Sequence, residues 1–282
     1  MHKLLEILNM SKEFLEKRGV ESARLNAELI IAEILKLKRL DLYLNYERPM
    51  MEEEMSLIRE WIKRRGDKEP LQYILGKEEF YGLIFKVNKS VLIPRQDTEV
   101  LVEKAIEKLK NRVKPKVLDI GTGSGAISIS IAKNIDDSVV LGVDISEDAL
   151  CVAKENMEQN EIKNLKLIKS NVFENVNYHE FDMIISNPPY IPDYEYETLM
   201  TEVKEHEPKT ALVAEDNGYF FYKKIIDEGK NYLVSGGVIL FEAGYNQAEN
   251  IGELFKQDGN YKDIEIFKDY AGIERVVTAV KK

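Results

Sequence analysis

Apolar residues in positions 2–18 fall near helical spacing (Leu4, Leu5, Ile7, Leu8, Phe14, Leu15), and Ala27, Leu29, Ile30, Ile31, Ile34 and Leu35 repeat the pattern. Two amphipathic helices are predicted, the first ended by Gly19. A short segment near 40–46 and an amphipathic one at 51–65, with Met55, Ile58 and Ile62, complete a small helical bundle. From Gly66 to Pro94 the pattern changes to short runs broken by glycine, and Phe80 to Phe85 reads as a hairpin or extended linker. Residues 97–111 predict a helix with Asp97 or Thr98 as its cap and Val100, Leu101, Ala105, Ile106 and Leu109 as its buried stripe. Beyond Pro115 strand-like and helical patterns alternate: KVLDI, a helix at 125–134, VVLGVD, a helix at 146–159, LKLIK, FDMIIS, a helix at 219–233 and GVILFE. That alternation predicts an α/β domain with a parallel sheet covered by helices on both faces. Two closing runs, YKDIEIF and ERVVTAV, are joined by a link too short for a crossover and predict an antiparallel hairpin. The expected organisation is a helical domain at 1–75, a hairpin linker at 76–95, and an α/β domain at 96–282 with a mostly parallel seven-stranded sheet.

Composition narrows the class. A chain of 282 residues suits two domains, and 44% hydrophobic with 32% charged residues gives a real core and argues against disorder. Forty basic against 50 acidic residues give a net charge of −10, which opposes a long phosphate-tracking surface, so no stable nucleic-acid partner is expected. The first 90 residues hold 17 basic and 16 acidic side chains, the remainder 23 and 34, an asymmetry that fits two units. Cys151 stands alone, so no internal disulfide forms; a packing role on a helix and a reducing, cytoplasmic setting are expected. Charges interrupt the opening segment every three or four positions and no run approaches eighteen apolar residues, so neither leader nor membrane span is expected. His2, His179 and His206 lack metal-ligand spacing and there is no serine elbow, so no metal is expected and the histidines read as structural or solvent-facing.

Candidate chemistry begins at Asp119-Ile120-Gly121-Thr122-Gly123-Ser124-Gly125, which follows a predicted strand and opens a helix. Bare glycine backbone admits a ligand closely, and the helix N-terminus offers unpaired N–H groups, which suits a nucleotide-like molecule. Asp144, ending the second strand, lies where a carboxylate can accept from a ribose diol, with capping of the next helix as the alternative. Gly121-x-Gly123-x-x-Ala126 also satisfies the relaxed dinucleotide fingerprint, so the turn alone leaves a nicotinamide enzyme and a methyltransferase both open. The third glycine, with Asp119 ahead, resembles the DxGxGxG turn of S-adenosylmethionine-dependent methyltransferases.

Asn187-Pro188-Pro189-Tyr190 follows FDMIIS, at the strand end where open α/β sheets place their chemistry. Two prolines remove two N–H donors, fix two φ angles and keep each preceding residue extended. The arm so formed suits methylation of a planar nitrogen, whose delocalised lone pair makes it a poor nucleophile. The Asn187 side-chain oxygen and the Pro188 carbonyl can each accept one N–H, while Tyr190 can stack on the flat group.

Such tetrapeptides accompany both adenine amino groups and glutamine amides, leaving an adenine-N6 DNA or RNA methyltransferase as the alternative. Pro70-Leu71-Gln72-Tyr73-Ile74-Leu75-Gly76, Glu79-Phe80-Tyr81, Ile93-Pro94-Arg95-x-Asp97-Thr98-Glu99, the DIGTGSGAI turn, SNPPYI, Glu207-Pro208 with Thr210-Ala211-Leu212, and Asp269-Tyr270 with Arg275 resemble the peptide chain release factor glutamine methyltransferases, PrmC/HemK. The resemblance runs from about residue 20 onward and implies a Rossmann-like domain. It also implies methyl transfer from S-adenosyl-L-methionine to the N5 amide of the glutamine in the Gly-Gly-Gln (GGQ) motif of class 1 release factors, with the helical domain docking the factor. By that match Gly121, Thr122, Gly123, Ser124 and Gly125 line the methionine part, Asp144 binds the ribose, and Asn187, Pro188, Pro189 and Tyr190 hold the glutamine. Catalysis would rest on Asn187, Pro188 and Tyr190, with Asn187 also beside the cofactor; Phe80, Arg95 and Asp119 are expected close to it or to the linker. The family commonly has an acid and an aromatic where Asn171 and Val172 stand. Asn171 still offers an amide oxygen to the adenine amino group, whereas Val172 offers apolar contact only, with Phe173 as a substitute.

Overall fold

The first helix, α1 (Leu4–Lys17), starts where Glu6 accepts a hydrogen bond from the Lys3 amide at 3.2 Å, and Gly19, at φ +63°, turns the chain out of it. It packs with α2 (Ala23–Leu35), the short α3 (Asp41–Leu44), α4 (Glu52–Gly66) and α5 (Leu71–Leu75). Three glutamates open α4 and three basic residues close it, both favourable to its macrodipole. Leu4, Leu8, Leu15, Ile30, Ile31 and Ile58 form the bundle core. The computed structural model describes residues 2–282 and divides into two units: this bundle to Lys77 together with 200–206, and residues 78–199 with 207–282. The distant segment is held through Arg65, only 5% exposed, which donates to Asn26 Oδ1 at 2.7 Å, the Glu69 carbonyl at 3.1 Å and Glu202 Oε1 at 2.8 Å. Nothing in the local pattern of 200–206 announces that association.

The second unit opens with a hairpin of β1 (Lys77–Phe80) and β2 (Leu83–Lys86), whose two turn residues, Tyr81 and Gly82, have φ of +50° and +72°. Such positive values match the twist of paired strands. Helix α6 (Asp97–Leu109) follows. Gln96, not Asp97 or Thr98, occupies its cap position, because both expected caps turn their side chains elsewhere: Asp97 to Arg275 at 3.2 Å, Thr98 to Asn187 at 3.4 Å. Then come β3 (Lys116–Ile120), α7 (Ala126–Asn134), β4 (Val139–Asp144), α8 (Glu147–Gln159), β5 (Leu165–Lys169), β6 (Phe181–Ser186), the short α9 (Asp193–Tyr196), α10 (Thr201–His206), which belongs to the first unit, then α11 (Phe220–Gly229), β7 (Leu233–Glu242), α12 (Ala248–Asp258), β8 (Tyr261–Lys268) and β9 (Glu274–Lys281).

The seven strands run in the order β5-β4-β3-β6-β7-β9-β8, parallel through β7 and antiparallel in the closing hairpin, as expected. Alternate residues feed two cores: Val117, Met183 and Leu240 face one way with Leu101 and Ile129, while Leu118, Ile184 and Ile239 face the other with Tyr222 and Phe255. Helix α11 stops at Gly229 and β7 begins at Leu233, where the sequence pattern extends the helix to 233. Cys151 is exposed on α8, so it does not pack as expected. Because β3 has β4 on one side and β6 on the other, the chain changes direction across the sheet there, opening a crevice at the carboxyl ends of these strands.

Candidate active site

At the end of β3 the Gly121 and Thr122 amides both donate to the Val143 carbonyl, at 2.8 and 2.9 Å, tying the glycine turn to β4. Gly121 and Gly123 have φ of +73° and +56°; a Cβ at the first would meet nothing within 4 Å, and one at the second only the Gly121 carbonyl. The turn therefore presents bare backbone to open space. Gly125, at φ +82°, adopts a conformation that strains any side chain, and a Cβ there would also come within 2.8 Å of Ile129 Cδ1. Thr122 donates to Asp119 at 2.6 Å and lies 2.7 Å from Ser128. Asp119 is fully buried with one oxygen lacking a protein partner, and burial, with Asp144 repelling, pushes its pKa up to about 6.

Asp144 accepts from the amides of Gly123 and Ser146, both at 2.9 Å, and burial raises its pKa. It does not cap α8; Ser146 does, accepting from Ala149 at 3.2 Å. The Asp144 carboxylate has lone pairs left for a ligand on the cleft wall. Beyond β5, Ser170 donates to the Val172 carbonyl at 2.9 Å and holds Val172 at φ +55°, a left-handed conformation costly for a β-branched residue. Asn171 gives its Nδ2 to Glu174 at 2.7 Å, leaving its oxygen as the acceptor edge. Phe173 is buried and stacks on Tyr232 with ring centroids 4.3 Å apart, so it belongs to the core and does not substitute at the cleft.

Opposite, Ser186 donates to the Ile120 carbonyl at 2.7 Å, fixing the end of β6 against β3. Asn187, Pro188 and Pro189 line the same cavity of about 150 Å³ as Gly121, Gly123 and Asp144. Tyr190 stands behind this wall. Its carbonyl accepts from Gln247 at 3.0 Å, and burial, with Glu242 near it, pushes its phenol up to about 12. Gly218, at φ +87°, lies so close that a Cβ would sit 2.1 Å from the Tyr190 carbonyl oxygen. Glu207 accepts from the Ile93 amide at 3.2 Å and pairs with Arg95, which lines a smaller recess with Thr98, Thr122 and Ser124.

Comparison with known proteins decides the family. Residues 6–76 match the family described as PrmC N-terminal domain, and residues 96–257 the one described as methyltransferase small domain. A release factor glutamine methyltransferase of Fusobacterium nucleatum is 46% identical over 279 residues, covering 98% of this chain and 78% of the relative. One from Geobacter sulfurreducens is 41% identical over 272 residues, covering 96% and 94%. The chain belongs to the release factor glutamine methyltransferase family. A methyltransferase from Pyrococcus furiosus shares the fold, with a TM-score of 0.52 at 22% identity over 71% of this chain and 89% of that one.

As in any release factor glutamine methyltransferase, two elements must meet, a donor site and an acceptor site. Here the glycine turn, Asp144, Asn171, Val172 and Asn187 to Pro189 share one cavity. Phe80 does not line it: the ring is buried against Phe85, 6.0 Å between centroids, under the hairpin. Sequence reasoning missed Glu242 and gave Thr98 the wrong task. Glu242 is buried at the edge of the site, its pKa pushed up to about 7 mainly by burial. The signal available was an acid ending the apolar run GVILF.

Proposed function

We propose that this chain methylates the side-chain amide nitrogen, N5, of the glutamine in the GGQ motif of class 1 release factors. The donor is S-adenosyl-L-methionine. The observation that carries the reading is the convergence of the bare glycine turn and the Asn187-Pro188-Pro189 wall on one cavity. The residues fit such a donor: Gly121 and Gly123 leave room that a Cβ would fill, and Asp119 keeps a buried oxygen without a protein partner. Gly121 to Gly125 would hold the methionine part, Asp144 the ribose, and Asn171 with Val172 the adenine. When bound, the donor supplies an electrophilic sulfonium methyl group.

The amide nitrogen is a weak nucleophile, so the protein's work is aim and polarisation. Asn187 Oδ1 and the Pro188 carbonyl accept the two N–H groups, which orients the nitrogen and raises its electron density as the bond forms. The prolines hold these acceptors without backbone donors that would compete. Tyr190 fixes the loop from behind through its packing and the Gln247 hydrogen bond. The nitrogen's proton becomes acidic only once the methyl has arrived, so no strong general base is required.

The test is incubation of the full-length chain with labelled methyl donor and a class 1 release factor, beside a copy with GGQ changed to Gly-Gly-Ala. Label in the first and not in the second is expected; equal label in both overturns the substrate assignment.

A further inference from the structure

The parallel register of β6 and β7 pairs Ser186 with Phe241, so the next residues along, Asn187 and Glu242, leave the sheet side by side. Glu242 is 2% exposed, and one of its oxygens has no hydrogen-bond partner. The Thr98 and Asn187 side chains beside it favour its ionised form, against the effect of burial. Thr98, itself buried in the first turn of α6, accepts from Asn187 Nδ2 at 3.4 Å. Asn187 thus turns its nitrogen end to Thr98, and both side chains favour the ionised acid, as donors do.

This direction matters because the two ends of a carboxamide are nearly the same size. Asn187 can accept from a substrate N–H only with its oxygen facing the cleft; reversed, it would oppose one NH2 group with another. An ionised carboxylate accepts and cannot donate, so it selects the nitrogen end of Asn187. We propose that Glu242, seconded by Thr98, is a positioning residue that locks the Asn187 carboxamide with its oxygen toward the substrate nitrogen. The inference rests on the proposed glutamine methylation and adds to it the group that decides the orientation of the acceptor.

The lock is pH-sensitive. A protonated Glu242 gains a donor and can hold the Asn187 oxygen instead, releasing the wrong end to the cleft. The groups facing Glu242 are Arg275, which favours the ionised form, Asp97, which opposes it, and the Tyr190 and Tyr222 phenols, which stay neutral because burial raises both; Tyr222 donates to the Glu242 carbonyl at 2.8 Å. Methyl transfer should therefore rise with pH through about 7.

The test is the single-turnover rate constant for methyl transfer to a release factor, measured from pH 5.5 to 9 with the full-length chain, Glu242→Gln and Thr98→Val. Glu242→Gln should lower the plateau about 10- to 100-fold, as misaimed groups do, and lose the limb near pH 7. Its affinity for S-adenosyl-L-methionine, read by calorimetry, should stay within about twofold, since the change lies in aim and not in donor binding. Thr98→Val should cost less and move the limb to higher pH, because a hydroxyl that stabilises the ionised acid is gone. Unchanged rates in both variants, or a limb retained in Glu242→Gln, overturn the proposal. Should Glu242→Gln fail to fold, Thr98→Val decides alone: a wild-type rate with an unshifted limb overturns it. A wild-type chain that labels no GGQ glutamine defeats the underlying function; a labelling wild type with indifferent variants defeats only the positioning role.

Discussion

In the proposed reaction Asn187 is the side chain that aims the acceptor, and Asn187→Ala should reduce methyl-transfer turnover about 10²- to 10³-fold, by analogy with loss of one preorganised hydrogen-bonding group. Radiolabel transfer at saturating donor checks this; near-normal turnover would remove Asn187 from the reaction. Asp119 gives a prediction about stability. Its folded pKa, about 6 against an ordinary 3.8, means the folded protein binds its proton more tightly, so its stabilising contribution is complete below pH 4 and is lost as pH rises through about 6. Asp119→Asn is neutral throughout. The wild-type urea midpoint, measured relative to this variant, should therefore climb as pH falls from 8 to 5, and a constant difference would contradict the assignment. At this scale the glycine turn and the tetrapeptide were legible because bare backbone and paired prolines act locally. Glu242 was not, since its meaning comes from the β6–β7 register and from Thr98 in a distant helix.

Among the elements, the loop after β6 is braced by glycines as much as by its prolines. Gly218→Ala combines a left-handed φ with a Cβ 2.1 Å from the Tyr190 carbonyl oxygen, and should cost about 2–3 kcal/mol of stability and much of the activity. Chemical denaturation alongside a turnover assay tests this; an unshifted midpoint would show that the loop yields freely. The strands read well because β3 and β6 are near-continuous apolar runs between turn signals. Helix α12 went unread although Ala248, Ile251, Gly252 and Phe255 have helical spacing, because only two of the four are large apolar side chains and Gly252 lowers helix propensity. The cap of α6 was misread for a different reason: Asp97 and Thr98 are good capping types whose side chains are taken by Arg275 and Asn187.

At the scale of the whole molecule, no helix among the described residues is long and apolar enough to cross a membrane. The described residues divide into two units, and no periodicity in the sequence could assign 200–206 to the first. That segment depends on Arg65, and Glu202→Ala should raise the rate of limited proteolysis between residues 199 and 207 several-fold, about the effect of losing 1 kcal/mol of local closure, while bundle helicity stays constant. Equal cleavage in both proteins would mean that the salt bridge does not hold the segment. The excursion also governs how the chain can be dissected. A fragment starting at residue 78 would keep seven residues whose host had been discarded, leaving Glu202 without its guanidinium. Dissecting this enzyme cleanly therefore takes two cuts and a splice across 200–206, and a poor yield from a one-cut truncation would say nothing about whether the sheet can fold unaided.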